Sequence, residues 1–293
     1  MKSSLRLDLP EDFSFRATVY SHGWSELAPF SLDDENWRLS YVFNDGMSEV
    51  PAVIYEENGS LRIDLAGRDI SNEKITSDAR HLLRLDDDLS GFYDRVSADE
   101  RLNWIAKHRA GRLMRSPTVW EDLVKTICTT NCSWGLTKIM TTNLVEKLGK
   151  GKAAKAFPTA EAMAAMEESF YRNEIKSGYR SPYFIELAES VASGKVDPQS
   201  WLVSDLSTAD LKKEMKKVKG VGDYAAENLL KLVGRYDGLA LDSFLRSQFY
   251  KTHNKEKQCP DKKIERHYKK YGEWRGLVIW CDMTERWSHM TMS

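Results

Sequence analysis

The sequence predicts an α+β protein: an N-terminal antiparallel β-sheet of four or five strands followed by a mostly helical region. Three observations carry this expectation. Short runs rich in β-branched and aromatic residues, partly alternating and separated by turn signals, occupy the early part of the chain. From about residue 90 the apolar residues recur at helical spacing instead. The charge divides in the same sense. Residues 1–100 hold 10 Lys/Arg and 21 Asp/Glu, while the rest holds 33 and 23, so a net charge of −1 conceals an acidic first part and a basic remainder. Such asymmetry points to a polyanionic partner for the basic part. The expected units are residues 1–88 and 89–293.

Each element has its own signal. Strands are expected at 13–21, 37–44, 50–57 and 60–67. Asn44-Asp45-Gly46 marks the turn between the second and third, and Asn58-Gly59 favours a tight type I′ hairpin between the third and fourth. A helix follows at about 73–84, capped by Ser71 or Asn72. Ser116-Pro117 reads as an N-cap with proline at the first helical position, leading into a helix that carries Leu123 and Ile127. Leu136, Ile139, Met140, Leu144 and Leu148 form the next stripe, stopped by Gly149. Shorter helices are expected in FPTAEAMAAM and in SPYFIELAESVASG, the latter ended by Gly194.

Composition excludes several classes. With 293 residues, 41% hydrophobic and 30% charged, the chain is globular and can bury a sizeable core. No apolar stretch has the length of a membrane span. The start, MKSSLRLDLP, lacks the apolar core of a signal peptide, so the chain is expected to stay inside the cell. Cys128 and Cys132 are four apart while Cys259 and Cys281 are distant, which is neither a disulfide framework nor a zinc spacing. The six histidines form no ligand motif, so no metal is expected on side chains and no cofactor is called for.

Residues 206–242 carry the most information. Ser207 with Asp210 resembles a capping box, and Leu211, Met215 and Val218 lie on one helical face. Gly220-Val221-Gly222 breaks that helix, and Ala225, Leu229, Leu232 and Val233 restart the period. A helix, a tight hairpin and a second helix result. Two glycines allow positive φ and let the backbone approach a ligand. The second helix starts at the hairpin, so its free N–H groups and positive dipole end suit a phosphate. Lys212, Lys213, Lys216, Lys217 and Lys219 surround it and suit a nucleic-acid backbone. A plain turn with a solvated lysine face is the bland alternative.

Val218-Lys219-Gly220-Val221-Gly222, the following helix, the loop 234–241 and Asp242 together resemble the signature of the helix-hairpin-helix DNA glycosylase superfamily. ICTTNCSW at 127–134 and SGYRSPY at 177–183 are similar to segments of the 8-oxoguanine glycosylases. LVIWCDMTERW at 277–287 and the N-terminal sheet resemble the 3-methyladenine glycosylase II group.

The resemblance implies excision of a damaged base from double-stranded DNA, with the target nucleotide flipped into a pocket. Asp242 would stabilise the oxocarbenium-like sugar or activate water. Bifunctional members carry a Schiff-base lysine two residues after the second hairpin glycine; Tyr224 stands there, so a monofunctional enzyme without lyase chemistry is expected. Lys219, Lys216 and Lys217 would serve the phosphate backbone. Trp280 would stack on an electron-poor alkylated purine, with Tyr224 and Asn228 lining the pocket. Asn131 would fill the gap left by the flipped base, and Tyr179 and Arg180 would act as wedge and partner-base contact. Arg246 suits a carboxylate or a phosphate equally. Such hairpins can also hold a monovalent cation on backbone carbonyls, which the residues neither require nor exclude. A monomer is expected, cytoplasmic and nucleoid-associated in a prokaryote or nuclear in a eukaryote. An oxidised- or deaminated-purine glycosylase and a non-catalytic hairpin DNA-binding protein remain the alternatives.

Overall fold

Alternation is realised as a five-stranded antiparallel sheet in the order β1-β5-β4-β3-β2. The computed structural model describes residues 3–67 and 69–286. The strands are β1 (Ser3–Asp8), β2 (Ser31–Asp33), β3 (Arg38–Asn44), β4 (Glu49–Glu57) and β5 (Ser60–Leu65), with helix α1 (Phe15–Val19) between the first two. Every second residue of β4 is buried (Val50, Ala52, Ile54), as are Leu61, Ile63 and Leu65 of β5. Pairing of Glu57 with Ser60 leaves the two-residue turn Asn58-Gly59, both at positive φ as a type I′ turn requires. Helix α2 (Asn72–Leu83), capped by Ser71, adds Ile75, Ala79, Leu82 and Leu83 to the same core.

Residues 13–21 are a correction: they form α1, not a strand. Ser14 caps the helix by accepting from the Ala17 N–H at 3.3 Å, and Phe15, Thr18 and Val19 are buried at the i, i+3, i+4 spacing of a helix. The extra strands are β1, which pairs with β5, and the short β2 on the other edge.

The helical part comprises α3 (Ser90–Ser97), α4 (Asn103–Lys107), α5 (Val119–Thr129), α6 (Trp134–Leu148), α7 (Ala160–Ala164), α8 (Glu168–Phe170) and α9 (Ser181–Ala192). It continues with α10 (Thr208–Met215), α11 (Asp223–Leu232), α12 (Ser243–His253), α13 (Asp261–Tyr268) and α14 (Arg275–Met283). Thr118, not Ser116, caps α5, with its side chain accepting from the Glu121 N–H. Ser116 instead donates its N–H to Asp122 at 2.8 Å, so Ser116-Pro117 is a lead-in to the helix. Trp287, the last residue of the expected C-terminal helix, lies outside the described residues.

Helices α5 to α11 supply one apolar cluster, and α3, α4 and α12 to α14 supply another. The cluster built on the sheet also takes in Leu232, at the end of α11. Two buried arginines reinforce that junction. Arg84 donates to the Leu232 carbonyl at 2.9 Å and to Asp87 at 2.7 Å; Arg115 donates to the same Leu232 carbonyl at 3.0 Å. Cations on the last carbonyls of a helix satisfy orphan acceptors and suit its negative dipole end.

Candidate active site

The hairpin forms as its residues dictate. Ser207 caps α10, and Leu211 and Met215 are buried. The turn closes with the Val221 N–H donating to the Val218 carbonyl at 3.0 Å. Gly220 has φ +91°, and a Cβ there would sit 3.0 Å from the Tyr183 ring, so glycine is required. Gly222 is extended, precedes α11 and faces open space. The surrounding lysines are all paired. Lys212 bonds Glu227 and Asp223, Lys213 bonds Asp210, Lys216 bonds Asp223, Lys217 bonds Glu214, and Lys219 bonds Glu186.

Beyond the hairpin lies a cavity of about 1090 Å³. Tyr224, Asn228 and Lys231 line it from α11, at the i, i+4, i+7 spacing of one helical face. Asp242 and Trp280 line it from other elements. Asp242 caps α12 and accepts from the Leu245 N–H at 2.7 Å. The loop before it is held from two sides. Glu227 accepts from the Ala240 N–H and, at 2.6 Å, from Lys212. The Gly276 N–H donates to the Tyr236 carbonyl at 2.7 Å, and a Cβ on Gly276 would fall 1.9 Å from the Gly238 carbonyl oxygen. Burial, with the Asp242 charge second, raises the Tyr224 phenol above its usual range. The Trp280 ring is fixed by its Nε1–H donating to the Ser21 carbonyl at 2.9 Å, and Asn228 donates to the Tyr224 carbonyl at 2.9 Å.

Among the cavity residues that the sequence reading did not single out are His22, Trp24 and Lys231. His22 stacks on Trp24 with ring centroids 4.7 Å apart, and Trp24 donates to buried Asp122 at 2.8 Å. Lys231 is 2% exposed and lies 5.8 Å from the Trp280 ring centroid. Its signal was present in the sequence, because 224, 228 and 231 place three polar side chains on one face of an otherwise apolar helix. His22 and Trp24 had none, since only the fold brings the segment after α1 to the cavity.

At the rim, the expected intercalation residues do gather. Asn131 takes a positive φ of 47° and donates to the Tyr179 hydroxyl at 3.3 Å. Tyr179 is exposed, whereas Arg180 is buried and donates to Thr130, bracing the turn that carries Asn131. Arg246 lines the cavity and pairs with the Asp261 carboxylate at 2.8 Å, one of the partners its sequence context left open. His253, His267 and Asp282 converge elsewhere, with ligand atoms within 4.8 Å of one another. The Arg101 guanidinium already occupies the Asp282 carboxylate, which disfavours a cation there. No helix among the described residues is long and apolar enough to cross a membrane.

A sheet part joined to a hairpin-bearing helical part, with an aspartate capping the helix beyond the hairpin, is the fold of the helix-hairpin-helix DNA glycosylases. No protein-family model matches the chain. Its relatives and structural neighbours are DNA glycosylases all the same. It is 24% identical over 227 residues to the N-glycosylase/DNA lyase of Saccharomyces cerevisiae, a match covering 71% of this chain and 60% of that one. It is also 24% identical over 164 residues to the DNA-3-methyladenine glycosylase of Bacillus subtilis, covering 54% of each. The chain thus spans little more than half the length of the curated relatives it matches. The 3-methyladenine DNA-glycosylase from Archaeoglobus fulgidus superposes with a TM-score of 0.78 at 15% identity, over 96% of this chain and 98% of that one. The 8-oxoguanine glycosylase/lyase of Clostridium acetobutylicum, in complex with double-stranded DNA containing cytosine opposite 8-oxoG, gives 0.75 at 18%, over 99% and 98%.

Proposed function

We propose that the chain is a DNA glycosylase that extrudes a damaged purine nucleotide and releases its base by hydrolysis. The observation that carries this reading is the shared cavity: Asp242 and the first turn of the hairpin helix, through Tyr224, line the same space. A nucleotide whose phosphates rest on the N–H groups at Gly222 would bring its sugar to Asp242. The carboxylate would stabilise positive charge developing on the sugar and orient water. The Trp280 ring suits the face of a purine, alkylated or carbonyl-bearing alike.

Tyr224, at the position where the bifunctional signature carries its lysine, supports hydrolysis without Schiff-base chemistry. Asn131 and Tyr179 at the rim would enter the gap in the duplex, with buried Arg180 positioning them. Double-stranded DNA is the partner this reading requires, and structural neighbours in complex with DNA support it. The test is base release from duplexes carrying one defined lesion each, with borohydride present in a parallel reaction. Release without a trapped adduct is expected. No release from any lesion refutes the enzyme, and a trapped adduct refutes its hydrolytic mechanism.

A further inference from the structure

The floor of the cavity holds two polar groups that the hydrolysis itself leaves unused. Lys231 brings an ammonium with three N–H donors. One meets the Leu239 carbonyl at 3.3 Å, and no other acceptor among the described residues takes the rest. His22, half-buried, lines the same cavity, and its buried Nε2 has no hydrogen-bond partner among the described residues. The tautomer follows from its other nitrogen. The Ser21 hydroxyl oxygen accepts the Met114 N–H at 3.0 Å, and among the described residues the one acceptor in reach of its own hydrogen is His22 Nδ1 at 3.3 Å. Pairing that hydrogen makes Nδ1 the acceptor and puts the imidazole proton on Nε2. The cavity lining therefore brings donors that the described residues leave partly unpaired.

Resting on the glycosylase reading, we infer that Lys231 and His22 select the lesion: they take a neutral purine whose buried edge carries a carbonyl oxygen and disfavour a cationic alkylated purine. A carbonyl satisfies donors that burial would otherwise leave unpaired, and unpaired buried donors are what a polar site uses to reject the wrong base. A cationic base would meet a like charge on a buried ammonium, where repulsion is less screened than in water. Lys231 stands 5.8 Å from the Trp280 ring centroid, so a cationic base stacked on that ring would lie near its charge. The charge states agree. Desolvation lowers Lys231 to about 8, which leaves it an ammonium at neutral pH. Desolvation, then Arg84 and Lys231, lower His22 to about 3, which keeps it neutral.

The test compares release of hypoxanthine and 8-oxoguanine with release of ethenoadenine, neutral but lacking a carbonyl, and of 3-methyladenine, cationic and lacking one. Wild-type protein is expected to release the carbonyl-bearing bases fastest. Lys231→Met should lower the ratio of hypoxanthine to 3-methyladenine release by about 10- to 100-fold, the worth of a hydrogen bond to a charged group. His22→Phe, which keeps the stack on Trp24, should lower the same ratio by about tenfold. A ratio taken within one preparation does not depend on how much of the variant is folded. Unchanged ratios, or a wild-type preference for 3-methyladenine, overturn the inference and leave the glycosylase standing. A borohydride adduct that Lys231→Met abolishes overturns it too, by making Lys231 a nucleophile. No release from any of the four duplexes overturns both readings.

Discussion

Cations around α11 fall into two populations. Five exposed or half-exposed lysines of α10 and the hairpin face five carboxylates: Asp210, Glu214, Asp223, Glu227 and Glu186. Inside, Arg84, Arg115 and Lys231 are buried and answer mainly to backbone carbonyls. The first group is what a run of lysines advertises, yet it is locally neutral. A phosphate reaching the hairpin must displace carboxylates, so those contacts are exchanged and contribute modestly. The second group has no water to exchange with, so each cation there commits the structure. Under the glycosylase reading, surface charge would set how DNA is held, and buried charge stability and chemistry.

That contrast can be broken from either side. The largest effect is expected at the cavity's own carboxylate. Asp242→Asn should slow base release by about 10²–10³-fold or more while keeping affinity for duplex DNA, measured by single-turnover kinetics alongside a binding titration. Wild-type turnover in this variant would remove Asp242 from the chemistry. Arg84→Met leaves the Leu232 carbonyl and Asp87 to Arg115 alone, so stability should fall by about 1–3 kcal/mol in chemical denaturation.

Lys231 offers a test of sign. Its pKa is lowered to about 8 in the folded chain against 10.5 ordinarily. Between those values the unfolded chain binds the extra proton, so stability rises with pH across that window and is lost on returning below about 8. The rise is on the order of 3 kcal/mol, and Lys231→Met should lack it in melts followed from pH 8 upward. The smallest effects belong outside. Lys216→Ala or Lys217→Ala should leave stability within about 0.5 kcal/mol and reduce the salt slope of DNA binding by at most about one each. An unchanged slope would mean that the carboxylates keep these lysines when DNA arrives.

The same contrast explains what the sequence disclosed. Strands β3 to β5 were legible because one face of each is buried and the turn residues leave little choice of register. The helix–hairpin–helix was legible because Gly220 is needed where φ is positive and Tyr183 is close. Residues 13–21 misled because Phe13, Phe15 and Val19 look like strand material, and only the Ser14 cap and the neighbouring core make α1. Asp242, Tyr224 and Trp280 were found through a resemblance that fixes their order along the chain. Lys231 stood among five conspicuous lysines and an apolar stripe, and its burial depends on Trp280 and the loop at Leu239, both distant in sequence or folded back. His22 is further still, since no local pattern says that the segment after α1 reaches this cavity.

Helix α11 links two places that a nucleotide must satisfy at once. Its start is the hairpin, its far end is pinned by Arg84 and Arg115, and Lys231 lies seven residues after Tyr224. At about 1.5 Å per residue that is a rise of about 10 Å that cannot stretch. Under the glycosylase reading the helix is a gauge. A base still in the stack can touch one end only, and a base of the wrong chemistry can travel the full distance without finding a hold. Inspection of the base is then built into a length, with no moving part required.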